Sequence, residues 1–287
     1  MATAVEVINL VKRYENNTVI PGLTISVRQG EIFALLGANG AGKTTTLECI
    51  EGIRSYHEGD IRVHGRIGVQ LQSSSLLENI TAIEAYKLFC LWNKSKIDKE
   101  TLHSFGIMEF RNKQYRTLST GQKRRLHLAI ALINDPDIVI LDEPTAGLDV
   151  EGRVSLHKEI RKIRDSGKTI LMASHDMAEV ESLCDRIAIL KEGKLAFLGT
   201  ADELTGSHFG ESKISFRVRN QFPEIKLSYS KLDQSERNYF TVTTTEIADA
   251  LYELLTLLKE MDNEVLDIKI EHASLEERFI EIAKEGR

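Results

Sequence analysis

An α/β core with a largely parallel sheet, a helical insertion and a small α+β domain at the end is the fold that this 287-residue sequence predicts. Three observations carry the prediction. Apolar runs alternate with helix-patterned segments as far as residue 204. Four of those runs are nearly continuous, as strands covered on both faces must be. From Thr205 onward the pattern changes to strand alternation around one strongly amphipathic helix.

The elements follow in order. Val5–Leu10 reads as a strand, and so does Leu23–Val27, where Leu23, Ile25 and Val27 alternate with polar residues. Ile32–Leu36, Ile138–Leu141, Thr169–Ala173 and Arg186–Leu190 are the buried strands, and Gly121–Ile133 and Val150–Asp165 are helical. Residues 78–117 lack a strand run and include TAIEAYKLFCLW at helical spacing, which marks an inserted helical subdomain. The core is therefore placed at residues 1–204 and a second domain at 205–287. In the latter, Ile214, Phe216 and Val218 alternate, as do Phe240 and Val242. Ile247, Leu251, Leu254, Leu255 and Leu258 line one helix face behind Thr243 and Glu246 at capping-box spacing, and Val265–Ile270 reads as a strand. Ser274 and Glu277 form a second such box before a helix with Leu275, Phe279 and Ile282.

Composition narrows the function. Hydrophobic residues make up 42% and charged residues 28%, an ordinary globular balance. The net charge is −6, and residues 205–287 hold 11 Lys+Arg against 16 Asp+Glu, so neither domain has the basic excess of a nucleic-acid surface. No run reaches the roughly 18 apolar residues that a membrane span needs. The N-terminus has no secretory pattern, and a cytosolic protein is expected. Cys49, Cys90 and Cys184 fit no zinc or disulfide spacing and read as packing residues.

GANGAGKT, from Gly37 to Thr44, lies between the strand Ile32–Leu36 and a helix, where a phosphate-binding loop belongs. Gly37, Ala38, Asn39, Gly40, Ala41 and Gly42 let the backbone turn its N–H groups onto phosphate oxygens, and the helix N-terminus adds its dipole. Lys43 reaches the β- and γ-phosphates, Thr44 offers a hydroxyl to Mg²⁺, and Thr45 serves the α-phosphate. IVILDEPT then delivers Asp142 to the same end of the sheet as a magnesium residue, with Glu143 beside it as the candidate for activating water. LSTGQKRR begins a helix at Ser119. Its hydroxyl and free amides suit an anion, although taken by itself Ser119 reads better as an ordinary N-cap.

Together these motifs resemble the ATP-binding subunit of an ATP-binding-cassette (ABC) transporter. GANGAGKT is similar to Walker A, IVILDE to Walker B, LSTGQ to the LSGGQ signature and AGLD, at Ala146–Asp149, to the D-loop. His175 in LMASHD is similar to the switch histidine, Gln72 in IGVQLQ to the Q-loop glutamine and Tyr14 to the adenine-stacking aromatic. Thr120 departs from the signature's third-position glycine. The resemblance implies a head-to-tail dimer with a second such subunit. Ser119, Gly121, Gln122 and Asp149 of one copy would contact ATP held by the other, with Gln72 sensing Mg²⁺ and His175 working beside Glu143. It also implies a separate membrane permease and a place on the cytoplasmic face of the membrane. The stretch from about Gln72 to Trp92 lies where a permease helix docks in this family; Trp92 itself reads as a buried packing residue. ASLEERFIEI resembles the ending of ATPases from bacterial exporters of drugs, antibiotics and lipophilic compounds. The alternative is an ABC ATPase of translation or DNA maintenance, against which stand the single cassette and the acidic charge.

Overall fold

The computed structural model describes residues 2–15, 17–70, 76–205, 212–220, 227–236, 238–272 and 275–284. The chain divides into two compact units, Met1–Gly199 and Thr200–Arg287.

The first unit runs β1 (Thr3–Tyr14), β2 (Asn17–Arg28), β3 (Ile32–Leu36), α1 (Lys43–Ile50), β4 (Glu58–Val63), β5 (Ile67–Gln70), α2 (Ala82–Trp92), α3 (Lys99–Ser104), α4 (Ile107–Phe110), α5 (Thr120–Ala131), β6 (Ile138–Asp142), α6 (Val150–Asp165), β7 (Thr169–Ser174), α7 (Met177–Leu183), β8 (Arg186–Lys191) and β9 (Lys194–Gly199). Six strands form one sheet in the order β5-β6-β7-β3-β8-β9, parallel throughout except for β9. β3, β6 and β7 are buried along their whole length, which accounts for their unbroken apolar sequence.

The strands expected near residues 5–10 and 23–27 do not join that sheet. β1 lies between β2 and β4 in a separate antiparallel sheet, and β2 extends over 12 residues. The two sheets pack face to face around α1. Leu47, Cys49 and Ile50 share a core with Phe33, Leu35, Ile140 and Leu171 on one side and Val5, Val7 and Leu23 on the other. β4 escaped the sequence reading because most of its residues are exposed, leaving no apolar alternation, and β5 because it has only 4 residues.

Helices α2 to α4 fill the inserted region. Thr81 caps α2 reciprocally with Glu84, and one bridge, Thr81 to Gln114, ties the ends of the region together. Trp92 corrects an expectation, because it is 65% exposed rather than buried. α2 buries Ala82, Ala85, Tyr86 and Cys90. Two residues past Cys90 the helix has turned about 200°, so Trp92 points outward, edge-on to Phe89.

The second unit comprises α8 (Ala201–Thr205), β10 (Ser212–Val218), β11 (Lys231–Glu236), β12 (Tyr239–Thr244), α9 (Ile247–Glu260), β13 (Val265–His272) and α10 (Leu275–Lys284). Its sheet is antiparallel in the order β11-β12-β10-β13. Ala250, Leu254 and Leu258 of α9 pack on Ile214, Phe216, Val218, Phe240 and Val242, with the Phe216 and Phe240 rings stacked 5.0 Å apart. Two details differ from the sequence reading. The box expected between Thr243 and Glu246 does not form, because Thr243 still belongs to β12. The Thr244 hydroxyl accepts from the Glu246 amide instead, at 2.9 Å. Leu255 sits at the rim of the α9 contact, 41% exposed. Ser274 lies outside the described residues. Among the described residues no helix is long and apolar enough to cross a membrane.

Gly68 on β5 fits tightly against the end of α5: a Cβ there would sit 2.0 Å from the Ala131 carbonyl oxygen. Gly68→Ala is expected to destabilise the first unit by about 1–3 kcal/mol, read as a lower Tm. An unchanged melting curve would contradict this packing.

Candidate functional site

β3 sits between β7 and β8 and ends at Gly37, at the carboxyl edge of the parallel sheet, where ligands of open α/β sheets bind. The chain then turns through Ala38, Asn39 and Gly40, all exposed, and enters α1 at Lys43. Gly40 and Gly42 take φ of 84° and 97°, values that only glycine adopts without strain. The Ala41 amide donates to the Ala38 carbonyl at 3.0 Å, closing the turn.

A second segment supports this loop from below. The Gly193 amide, in the turn between β8 and β9, donates to the Ala41 carbonyl at 3.2 Å. Gly193 lies so close to β2 that a Cβ would meet the Val19 carbonyl oxygen at 1.9 Å.

The loop holds one buried cation against two buried carboxylates. Lys43 Nζ donates to the Gly37 carbonyl at 2.7 Å. Burial pulls its ammonium below the ordinary lysine range, opposed by Glu143 and Asp142. β6 delivers Asp142, whose Oδ2 accepts from the Thr44 hydroxyl at 3.0 Å. Asp142 Oδ1 is buried with no hydrogen-bond partner, and burial raises its carboxyl, partly offset by the Thr44 bond. A buried, unpaired carboxylate oxygen beside a threonine hydroxyl suits a hard cation. Among the described residues no cluster of three or more acids, histidines or cysteines would hold a metal by itself, so bound phosphate and water must complete any such shell.

Glu143 follows at φ 49°, a strained conformation for a non-glycine residue. Its amide donates to the Ala173 carbonyl at 3.0 Å, and its Oε2 lies 2.8 Å from His175 Nδ1. The glutamate is nearly buried while the histidine is exposed. The structure thus brings Lys43, Thr44, Asp142, Glu143 and His175 together. Thr45 is half-buried on the next position of α1. Tyr14 ends β1 with Lys12 and Arg54 over its ring, 4.8 and 5.5 Å from the centroid. Gln72 lies outside the described residues.

Ser119 stands apart from this cluster. It caps α5, its hydroxyl accepting from the Gln122 amide at 3.2 Å while Gln122 Oε1 accepts from the Ser119 amide at 3.1 Å. The cap therefore occupies Gln122 on both sides and leaves the amides of Thr120 and Gly121 as the open donors of the helix mouth. Asp149 caps α6, accepting from Gly152 at 2.8 Å. Both caps line a cavity of about 580 Å³ that includes no residue of the phosphate loop. The Thr120 methyl lies on the side of Gly147 where a Cβ would be: one built there would meet it at 3.7 Å.

Sequence reasoning missed the groups that orient these parts. Arg124 Nη2 donates to the Ala146 carbonyl at 3.1 Å, fastening α5 to the loop before α6. Ser174 donates to the buried Glu179 at 2.6 Å, and Arg153 pairs with Asp176 at 2.5 Å, so α6 and α7 grip the His175 turn from both sides. The signal was present in HDMAE: Asp176 and Glu179 are three apart, the spacing of an N-terminal cap.

A glycine loop around a lysine on one strand, with paired acids on its neighbour but one, defines a P-loop domain built to hydrolyse a nucleoside triphosphate. Within that class the comparisons are specific. Residues 20–146 match the family model described as ABC transporter. The uncharacterized ABC transporter ATP-binding protein YhcH of Bacillus subtilis strain 168 is 31% identical over 100% of this chain and 98% of its own. The linearmycin resistance ATP-binding protein LnrL of the same strain is 29% identical over 96% of both chains. The Nod factor export ATP-binding protein I of Burkholderia orbicola is 37% identical over 70% of this chain and 72% of its own. A solved ATP-binding subunit of an ABC transporter superposes on 71% of this chain and 93% of its own, at 26% identity and TM-score 0.64. The chain belongs to the ATP-binding subunits of ABC transporters, which bind and hydrolyse ATP and work with membrane permeases.

At the far end of α1, Glu51 has Oε2 buried without a partner. Burial, then Glu48 and Asp142, push its carboxyl from the ordinary 4.5 up to about 7. Ionising it costs more in the folded chain than in the unfolded one, so stability is lost as pH rises from about 4.5 to about 7. Glu51→Gln should therefore raise Tm at pH 8 and change it little at pH 4.5. An equal shift at both pH values would contradict this environment.

Proposed function

We propose that this chain is the motor of an exporter. It closes with a second ATP-binding subunit around ATP, hydrolyses it, and drives a separate permease from the cytoplasmic face of the membrane. One observation carries the dimer: the cavity under Ser119 and Asp149 contains no phosphate-loop residue, so each chain holds two halves of different sites. A γ-phosphate cradled by Gly37–Thr45 of one copy would be sealed by the open α5 amides, the Ser119 hydroxyl and Gly121 of the other, with Gln122 and Asp149 holding the mouth in shape.

Mg²⁺ fits Thr44 and the unpaired Asp142 Oδ1, with Gln72 as a further candidate, and would supply charge compensation at the phosphates. Lys43 neutralises the same phosphates. Glu143 orients the attacking water and accepts its proton, and His175, held at 2.8 Å, fixes the direction of the carboxylate. Tyr14 offers a ring to adenine. The relatives named for linearmycin resistance and Nod factor export support outward transport, here of a drug, antibiotic or lipophilic compound. The recognition of that molecule is assigned to the permease, and the second unit to an accessory role.

Lys43→Ala should weaken ATP binding by at least an order of magnitude, measured by calorimetry; unchanged affinity would remove Lys43 from the cradle. Glu143→Gln should bind ATP, lose hydrolysis by two orders of magnitude or more, and form a dimer at low micromolar concentration only when Mg-ATP is present. Normal turnover, or a monomer under saturating Mg-ATP, would falsify the sealed-site reading.

A further inference from the structure

β13 is the outer strand of the second unit's sheet, and α9 leaves it uncovered. Leu266, Ile268 and Ile270 are 53%, 39% and 43% exposed. Yet Ile268 pairs with Phe216 and Ile270 with Ile214, both fully buried under α9. The three apolar side chains therefore lie on the core face of the sheet, past the edge of the core.

α9 extends this stripe. Glu253 accepts from the Ser228 and Tyr229 amides, which fixes one flank of the helix toward the segment entering β11. Leu255, two residues on and about 200° round the helix, is exposed on the other flank, toward β13.

The backbone on this edge is oriented as well. The Val218 amide donates to the Asn238 carbonyl at 2.9 Å, so even-numbered residues of β10 direct their backbone groups to β12. Odd-numbered Ser215 and Arg217 then direct theirs to β13, opposite Lys269 and Asp267. Ile268 lies between those two, and its N–H and C=O face the open edge. An edge strand with outward backbone groups and exposed apolar side chains is a template for another strand.

The pattern selects which strand. Antiparallel pairing of β13 with its own copy about a two-fold axis at Ile268 sets Ile268 against Ile268 as a hydrogen-bonded pair. It sets Leu266 against Ile270 twice on the apolar face, and Asp267 against Lys269 twice on the polar face. Moving the axis one residue brings Asp267 onto Asp267 or Lys269 onto Lys269. Moving it two residues toward Ile270 leaves Leu266 unmatched.

The geometry points to a second copy of this chain docked on β13, joining the two four-stranded sheets into one. This contact needs no nucleotide and is separate from the ATP-sealed dimer. One short strand buries less than a standard interface of roughly 800 Å² per partner, so the association is weak and concentration-dependent.

Sedimentation of the full nucleotide-free chain, up to roughly 0.1 mM to suit so small an interface, tests it. The wild type should show a reversible monomer–dimer equilibrium. Asp267→Lys and Lys269→Asp should each weaken it at least tenfold. An equimolar mixture of the two variants should restore it, because every cross-strand pair in the mixed dimer is again opposite in charge. Asp267 also faces Arg217 within its own sheet, so each variant's Tm is measured alongside, and the recovery in the mixture, which a loss of intra-sheet contacts would not produce, is the deciding readout. A wild type that stays monomeric throughout, or a mixture no tighter than the single variants, overturns the proposal. Neither result touches the Glu143→Gln dimer, which requires Mg-ATP and is assayed at far lower concentration.

Discussion

Two acids, Asp142 and Glu143, are held almost out of water at the end of β6, with the Lys43 ammonium and the Arg124 guanidinium acting on both. Burying charge is costly unless it is paired, and here the pairing is incomplete: Asp142 keeps one oxygen without a partner and Glu143 leans on a histidine. That deficit organises the first unit. It asks for a ligand bringing both a cation and a polyanion, and the whole parallel sheet fixes where that ligand must sit. Continuous burial of β3, β6 and β7 makes the strand ends rigid, so the acids and the lysine cannot relax away from one another.

The strain at Glu143 belongs to the same arrangement. A left-handed glutamate costs on the order of 1–3 kcal/mol, and its amide is tied back to Ala173 on β7. The carboxylate is thereby turned off the strand direction toward His175. The His175 turn is itself clamped by Arg153–Asp176 and Ser174–Glu179, so α6, whose first residue follows the Asp149 cap, is mechanically continuous with the edge that carries the two acids. The helix that shapes one opening thus also steadies the residue next to the acids.

What the sequence made legible followed from chemistry with a short reach. The phosphate loop, the acids after β6 and the capping residue Ser119 each announce themselves within eight residues, and the buried strands by their unbroken apolar runs. Long-range arrangement was less visible. Nothing in Val5–Leu10 tells that β1 leaves the parallel sheet for an antiparallel one, because alternation looks alike in both. Arg124 and Glu179 act through partners 22 and 5 residues away, where no motif flags them. Trp92 misled because size suggests burial, while the phase of α2 decided otherwise.

The turn at Gly193 has a reach beyond its size. It lies against β2 at Val19 and props the phosphate loop through Ala41, so one glycine links three chain segments. Such a keystone leaves no slack: lengthening that hairpin, or giving its tip a side chain, would push on the loop and the neighbouring sheet at once.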